Sequence, residues 1–240
     1  MNKGIHLKRK IVFIGLCIGV VLCWVQPSLA QFDRVSVTVS GGAGYLPLKD
    51  WKDFAADILP SYYDQDKFGS YLDFRLSYNF TNKHSIVLNV EDIKTFASLS
   101  SVEILTNELG DTTGFGFSVT EWEFSAIPIG LSYEFHPMRS EEKVSPFIGA
   151  GASYFFSEVR GKLFHLYNSP FKNTLKGTRD GKGYGVHVYV GVQSQLTEHL
   201  IVVSRLRGQY ADGMAFTDKK GDIKVEFTGV DFTLGLGWRF

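Results

Sequence analysis

The sequence predicts an all-β fold: an eight-stranded antiparallel β-barrel that spans a membrane and follows an N-terminal signal peptide. Within its last thirteen residues, Thr228 to Phe240, every even position from Val230 onward is apolar and the odd positions are small or polar. This is the period of a β-strand. The polar face carries Asp231 and Arg239, as in a strand with lipid on one side and a polar lumen on the other. Seven further stretches alternate in the same way, and long and short connections take turns between them.

Residues 1–30 predict a cleaved signal peptide. A basic segment precedes the apolar run Ile11–Val25, and small residues lead to a cleavage site between Ala30 and Gln31. A membrane anchor is the alternative, but the run is shorter than the roughly 20 residues that a spanning helix needs. Both cysteines, Cys17 and Cys23, lie within this segment. The exported domain, residues 31–240, is therefore expected to contain no thiol and no disulfide.

The predicted strands are followed from the N-terminus by their alternation. They cover residues 35–45, 71–80, the stretch from 86, 120–135, 146–156, 184–195, 202–210 and 228–240. Long loops are predicted at 46–68, 95–119, 157–182 and 214–226. The first loop shows the spacing of an amphipathic helix over Trp51–Leu59, which Pro60 would end. The inner part of the second has the pattern of a hairpin that extends beyond the membrane.

The fourth predicted strand changes phase along its length. Its apolar residues shift from Trp122 and Phe124 to the odd positions from Ile127 onward. A one-residue bulge near Ser125 or Ala126 would explain this shift. Pro128 is then expected where the ladder needs no donor, or where the strand is locally unpaired.

Aromatic residues concentrate at both ends of the predicted strands, as in the girdles of membrane barrels. One rim would hold Tyr78, Phe80, Tyr133, Phe135, Trp238 and Phe240, and the other Tyr45, Tyr154, Phe156, Tyr184 and Tyr210. With eight strands, short turns and a C-terminal aromatic, the chain resembles the small outer-membrane barrel families of the OmpA membrane domain, OmpX and OmpW. The resemblance implies insertion in the outer membrane of a Gram-negative-type bacterium, with the short turns in the periplasm. It also implies that the barrel assembly machinery reads Trp238 and Phe240, and it implies architecture rather than activity.

Six charged residues are predicted to lie in the lumen at similar depth: Asp73, Arg75, Glu91, Arg205, Arg207 and Asp231. An eight-stranded barrel is about wide enough for its own side chains, and buried charges need partners. The set therefore favours a salt-bridged plug. A narrow polar path and a small-ligand cavity are the alternatives. His187, Tyr189 and Gln193 are further polar residues on the inner face of the sixth strand.

The expected function is non-enzymatic, with a structural or surface-interaction role. A narrow channel or carrier for small, even apolar, molecules is the alternative, and a barrel enzyme comes third because no nucleophile is placed beside His187. Trp51, Tyr62 and Tyr63 are candidates for contact with a surface partner of unknown identity, although they would equally suit the bilayer interface. Equal numbers of acidic and basic residues argue against a nucleic-acid partner. No metal-ligand spacing appears, and no cofactor is expected.

Overall fold

The chain forms a closed antiparallel β-barrel. The computed structural model describes residues 34–47, 63–65, 68–106, 112–138, 142–166, 172–212, 214–218 and 221–240. The signal peptide, its cleavage site at Ala30 and Gln31, the helix predicted in the first loop, and Trp51 and Tyr62 lie outside the described residues. Among the described residues no helix is long and apolar enough to cross a membrane.

Eight long strands build the wall, which confirms the predicted fold class. They are β1 (Val35–Tyr45), β3 (Phe68–Thr81), β4 (His84–Thr106), β5 (Thr112–Phe135), β6 (Val144–Leu166), β7 (Lys172–Gln195), β8 (Leu200–Asp212) and β11 (Gly229–Arg239). Three short strands are β2 (Tyr63–Gln65), which pairs with β4, and β9 (Met214–Asp218) and β10 (Gly221–Val225), which pair with each other. Pairing of β1 with β11 closes the ring.

The wall alternates between an apolar exterior and a buried interior. On β11, Leu234 and Leu236 are 56% and 58% exposed, whereas Asp231 and Thr233 are 1% and 2% exposed. The same holds on β7, where Val186 and Val188 face outward and His187 faces inward. A soluble lipid-binding barrel would point its apolar face inward. The belt observed here is that of a barrel surrounded by lipid.

The two ends of the barrel differ. One end, called the turn end, holds the three short connections between β3 and β4, β5 and β6, and β7 and β8, together with residues Val35 and Phe240. The opposite end, called the hairpin end, carries the strand extensions. The predicted loops at 95–119 and 157–182 are wrong as loops, because β4 pairs with β5 to Thr106 and β6 pairs with β7 to His165. The hairpin predicted inside the first of them is confirmed.

These extensions make the wall one-sided. β3 pairs with β4 only as far as Ser70 and Lys94, and β8 pairs with β7 only as far as Asp212 and Tyr184. The four-stranded sheet of β4, β5, β6 and β7 therefore continues past the rest of the barrel. Its sequence lost the apolar alternation because lipid no longer covers one face, although backbone pairing continues.

No bulge interrupts β5 near Ser125 or Ala126, so that prediction is wrong. β5 keeps one register with β6 from Phe117 to Phe135. Phe124 points inward and is fully buried, since the lumen itself is apolar at this height. Pairing of β4 with β5 does pause opposite Pro128, which has no N–H to donate.

Glycines on β6 and β7 let aromatic rings lie across the neighbouring strand. Gly149 is paired with Tyr189 and Gly191 with Phe147. A Cβ at Gly149 would collide with the Tyr189 ring, and one at Gly191 with the Phe147 ring. The glycines are thus required by close approach of a ring, as expected where a strand glycine has a packing partner.

Candidate functional site

The lumen contains a layer of ion pairs that joins four strands. All six charged residues predicted from the sequence are buried inside the barrel. Arg205 Nη2 lies 2.9 Å from Asp73 Oδ2, and Arg207 Nε donates to Asp231 Oδ2 at 2.7 Å. Arg207 also donates through Nη1 to Glu91. Asp73 and Glu91 are directly opposite each other on β3 and β4, so the two arginines separate like charges that would otherwise repel.

A fourth carboxylate, which the sequence analysis did not place in the lumen, completes the layer. Arg75 pairs with Glu134 on β5, and both are buried. His136 Nε2 lies 3.7 Å from Glu134, and His136 Nδ1 lies 3.2 Å from Ser145 Oγ. His136 directly follows β5 at the turn end, yet it is buried. Reading the inward positions of β5 as Gly130, Ser132 and Glu134 would have found this acid, and the supposed bulge concealed that order.

Aromatic rings pack against the arginines. The guanidinium carbons of Arg75 and Arg205 each lie 5.5 Å from the Tyr189 ring centroid, one to either side of the charged pairs. Arg207 lies 5.7 Å from the Tyr71 ring. Such contacts stabilise a desolvated cation without adding a hydrogen-bond acceptor. The predicted lumenal residue Tyr189 therefore holds two of the three arginines in place.

His187 lies between two serines. Its Nε2 is 2.7 Å from Ser132 Oγ and its Nδ1 is 3.2 Å from Ser153 Oγ, and its ring stacks on Tyr189 with 5.8 Å between centroids. Gln193 occupies an inward position of β7 nearer the turn end and is half-buried. Among the described residues no group of three His, Cys, Asp or Glu side chains is placed to hold a metal ion.

Apolar side chains cap the charged layer at the hairpin end. The cap contains Leu46, Tyr71, Ile93, Ala97, Phe124, Ala126, Phe155, Val159, Ala211 and Phe227, with Trp122 packed against them. Leu46 and Phe227 lie just outside the strands, and Gln209 Nε2 donates to the Phe227 carbonyl at 3.2 Å. The sequence analysis missed this cap, although Ile93, Phe124 and Phe155 stand at inward positions. The lumen is closed at the hairpin end.

The turn end of the lumen is apolar on one side only. Phe147, Tyr189, Ile201 and Val203 form a cluster on β6, β7 and β8. The facing strands bring short hydroxyl side chains, among them Ser36, Thr38 and Ser85, all buried. A polar side therefore leads from the turn end toward the ion pairs, and it stops beneath the apolar cap.

The remaining residues singled out in the sequence lie at the rims. Trp238 faces outward and stacks on His199 at 5.2 Å, and the Phe240 N–H donates to the Val35 carbonyl at 3.0 Å. Both positions are at the turn end, next to the closing pair of strands. Tyr63 is the first residue of β2 and is paired with Leu99 of β4.

Comparison with known proteins finds the barrel but no family. No protein-family model matches the chain, and no curated protein sequence matches it. Among solved structures, Neisserial surface protein A is 11% identical over 87% of this chain and 97% of its own, with a TM-score of 0.45. The N-terminal barrel domain of Pseudomonas aeruginosa OprF is 14% identical over 86% and 98%, with a TM-score of 0.39. The Escherichia coli outer-membrane protease OmpT is 11% identical over 88% and 98%, with a TM-score of 0.43.

These similarities concern the general architecture alone. All three proteins are outer-membrane or surface barrels, and the resemblance to small outer-membrane barrels is confirmed at that level. The lipid-facing belt and closed ring described above make this chain an integral membrane barrel of the same type.

Proposed function

We propose that this protein is a non-enzymatic outer-membrane barrel whose filled lumen is a structural core and whose role is carried by its cell-surface extensions. The observation that carries the proposal is the lumen. Ion pairs occupy its middle, and a ten-residue apolar cluster caps it at the hairpin end. Solutes would have to displace both.

The belt and the two unlike ends support the orientation. In outer-membrane barrels, short turns are periplasmic and long connections extracellular, so the hairpin end faces outward from the cell. There β4, β5, β6 and β7 extend as one sheet above the rest of the wall. A rigid sheet presented on one side suits contact with a partner surface better than a ring of short loops. Tyr63 at the base of this sheet is part of the predicted partner-contact set.

The environment of His187 supports the absence of catalysis. Its two ring nitrogens contact hydroxyls, and within the described residues neither contacts a carboxylate that would orient it as a general base. Ser132 and Ser153 are buried. A substrate would have to enter a lumen that is filled on both sides of these serines.

A narrow channel or carrier is the second candidate. The hydroxyl-lined side of the lumen, which runs from the turn end to the ion pairs, is the observation that favours it. Transport would then require displacement of the cap at Leu46 and Phe227, the two cap residues outside the strands.

Conductance of the purified barrel tests the proposal. The full chain is expressed in a Gram-negative host, recovered from the outer-membrane fraction, checked for heat-modifiable gel mobility and inserted in a planar bilayer. A folded barrel without discrete openings is expected. Reproducible openings whose ion selectivity changes in an Arg205→Ala variant would replace the proposal with the channel, and recovery only from the inner membrane or cytosol would contradict the location.

A further inference from the structure

An aromatic cluster stands on the outer face of the barrel at the turn end. It comprises Phe80 of β3, His84 of β4, and Tyr133 and Phe135 of β5. The His84 ring stacks on Phe80 with 5.8 Å between centroids and lies 5.4 Å from Phe135. His84 Nδ1 contacts the Tyr133 hydroxyl. The contact fixes the imidazole and the phenol as one surface that spans three strands.

Two cationic residues border this cluster. Arg34, directly before β1, is exposed, and its guanidinium donates to the Phe80 carbonyl at 3.4 Å. The Asn79 N–H donates to the Arg34 carbonyl at 2.7 Å, which holds the residue beside β3. Lys83 is exposed in the two-residue turn between β3 and β4. Both positive charges therefore lie within one turn of the same three strands.

No carboxylate neutralises these charges in the described part of the chain. Neither Arg34 nor Lys83 forms an ion pair there. The exposed acids of the turn end, Glu142 and Glu198, belong to the other two turns. This sector of the rim is thus positive, whereas the rest is mixed.

The cluster lies at the depth of lipid head groups. Just past it along the wall begin the exposed apolar residues of the belt, Ile86 and Leu88 on β4 and Leu131 on β5. On the other side are the turns, which face water. Aromatic side chains with a polar tip favour this boundary, and the anions present at the boundary are lipid phosphates.

We propose that Arg34 and Lys83, with the His84–Tyr133 surface, form a binding site for an anionic phospholipid of the leaflet at the turn end. The two cations hold the phosphate, and the rings of Phe80 and Phe135 contact the glycerol and the start of an acyl chain. The inference rests on the proposed outer-membrane location and adds a resident lipid to it.

Lipid retention tests the site. The full chain and its variants are inserted in nanodiscs of phosphatidylcholine with a minority of phosphatidylglycerol, transferred to detergent, and examined by native mass spectrometry. Wild-type protein is expected to retain phosphatidylglycerol in preference to phosphatidylcholine. The Arg34→Ser, Lys83→Ser double variant is expected to lose about thirtyfold in that preference, given the usual effect of a cation near an anionic surface.

Lys143→Ser is the matched control, because Lys143 is also an exposed lysine in a turn-end loop but lies away from the cluster. It should keep the wild-type preference. The site is refuted if the double variant retains the preference, if the control loses it equally, or if wild-type protein shows none. Failure of the chain to enter nanodiscs as a heat-modifiable barrel would refute the proposed function as well, so the two failures are distinct.

Discussion

The ion-pair layer and the apolar cap fill the same lumen by opposite chemistry. In the layer, Arg207 serves both Glu91 and Asp231, so each member depends on the others. In the cap, Phe124, Phe155 and Phe227 are held by shape and burial, and each contributes separately. The difference teaches that a narrow barrel can be closed in two ways. A charged network fails when one member is removed, whereas an apolar cluster loses stability in proportion to the volume removed.

Removal of the shared arginine is expected to have the largest effect. Arg207→Ala leaves two buried carboxylates without their partner and should lower the free energy of unfolding by about 3–5 kcal/mol. Arg205→Ala, which leaves only Asp73, is the comparison and should cost less. Urea unfolding in lipid vesicles, followed by tryptophan fluorescence, measures both. Equal losses would contradict the shared role of Arg207.

Truncation in the cap comes next. Phe124→Ala is expected to lower stability by about 3 kcal/mol, because it removes a fully buried ring from a closed cluster. Its effect should add to that of Arg207→Ala, since the two side chains belong to separate groups. The same unfolding measurement on the double variant checks additivity. A marked deviation would show that cap and layer form one cooperative unit.

The glycine positions give a smaller, sharply controlled effect. Gly191→Ala should destabilise the barrel by about 1–3 kcal/mol, because the added methyl group collides with the Phe147 ring and lies 2.5 Å from the Ser204 carbonyl oxygen. Gly208→Ala is the control, since no atom lies within 4 Å of its added Cβ. Comparable losses at the two positions would show that strand glycines matter here through the backbone rather than through ring packing.

The smallest effect on stability is expected outside the lumen. Lys83→Ser should change the free energy of unfolding by no more than about 0.5 kcal/mol, because the side chain is exposed and forms no ion pair among the described residues. Its retention of phosphatidylglycerol should nevertheless fall. Thermal unfolding and lipid retention measured on one preparation separate these readouts. A large drop in stability would mean that Lys83 has a structural role.

The sequence was most informative where lipid covers one face of a strand. On β1, β3, β8 and β11 the alternation of apolar and polar residues is uninterrupted, and the predicted faces of Asp73, Arg75, Arg205, Arg207 and Asp231 agree with the structure. Signal was lost wherever both faces have similar surroundings. Phe124 was placed outside because an apolar lumen and a lipid bilayer both favour an apolar side chain. The extensions beyond Lys94 and Tyr184 were taken for loops because no lipid imposes a pattern there.

The register between β1 and β11 has a consequence for how the barrel is made. Ser36 is paired with Arg239, which joins residues from nearly opposite ends of the chain. Every earlier strand can pair with its predecessor along the sequence, but β1 has only one partner until β11 arrives. Until that moment two unpaired strand edges remain, and a bilayer offers no hydrogen bonds to satisfy them. Closure is therefore an all-or-none event at the end of synthesis, and contacts of such long sequence separation form slowly. Before closure, the open sheet must be shielded from lipid and from other chains.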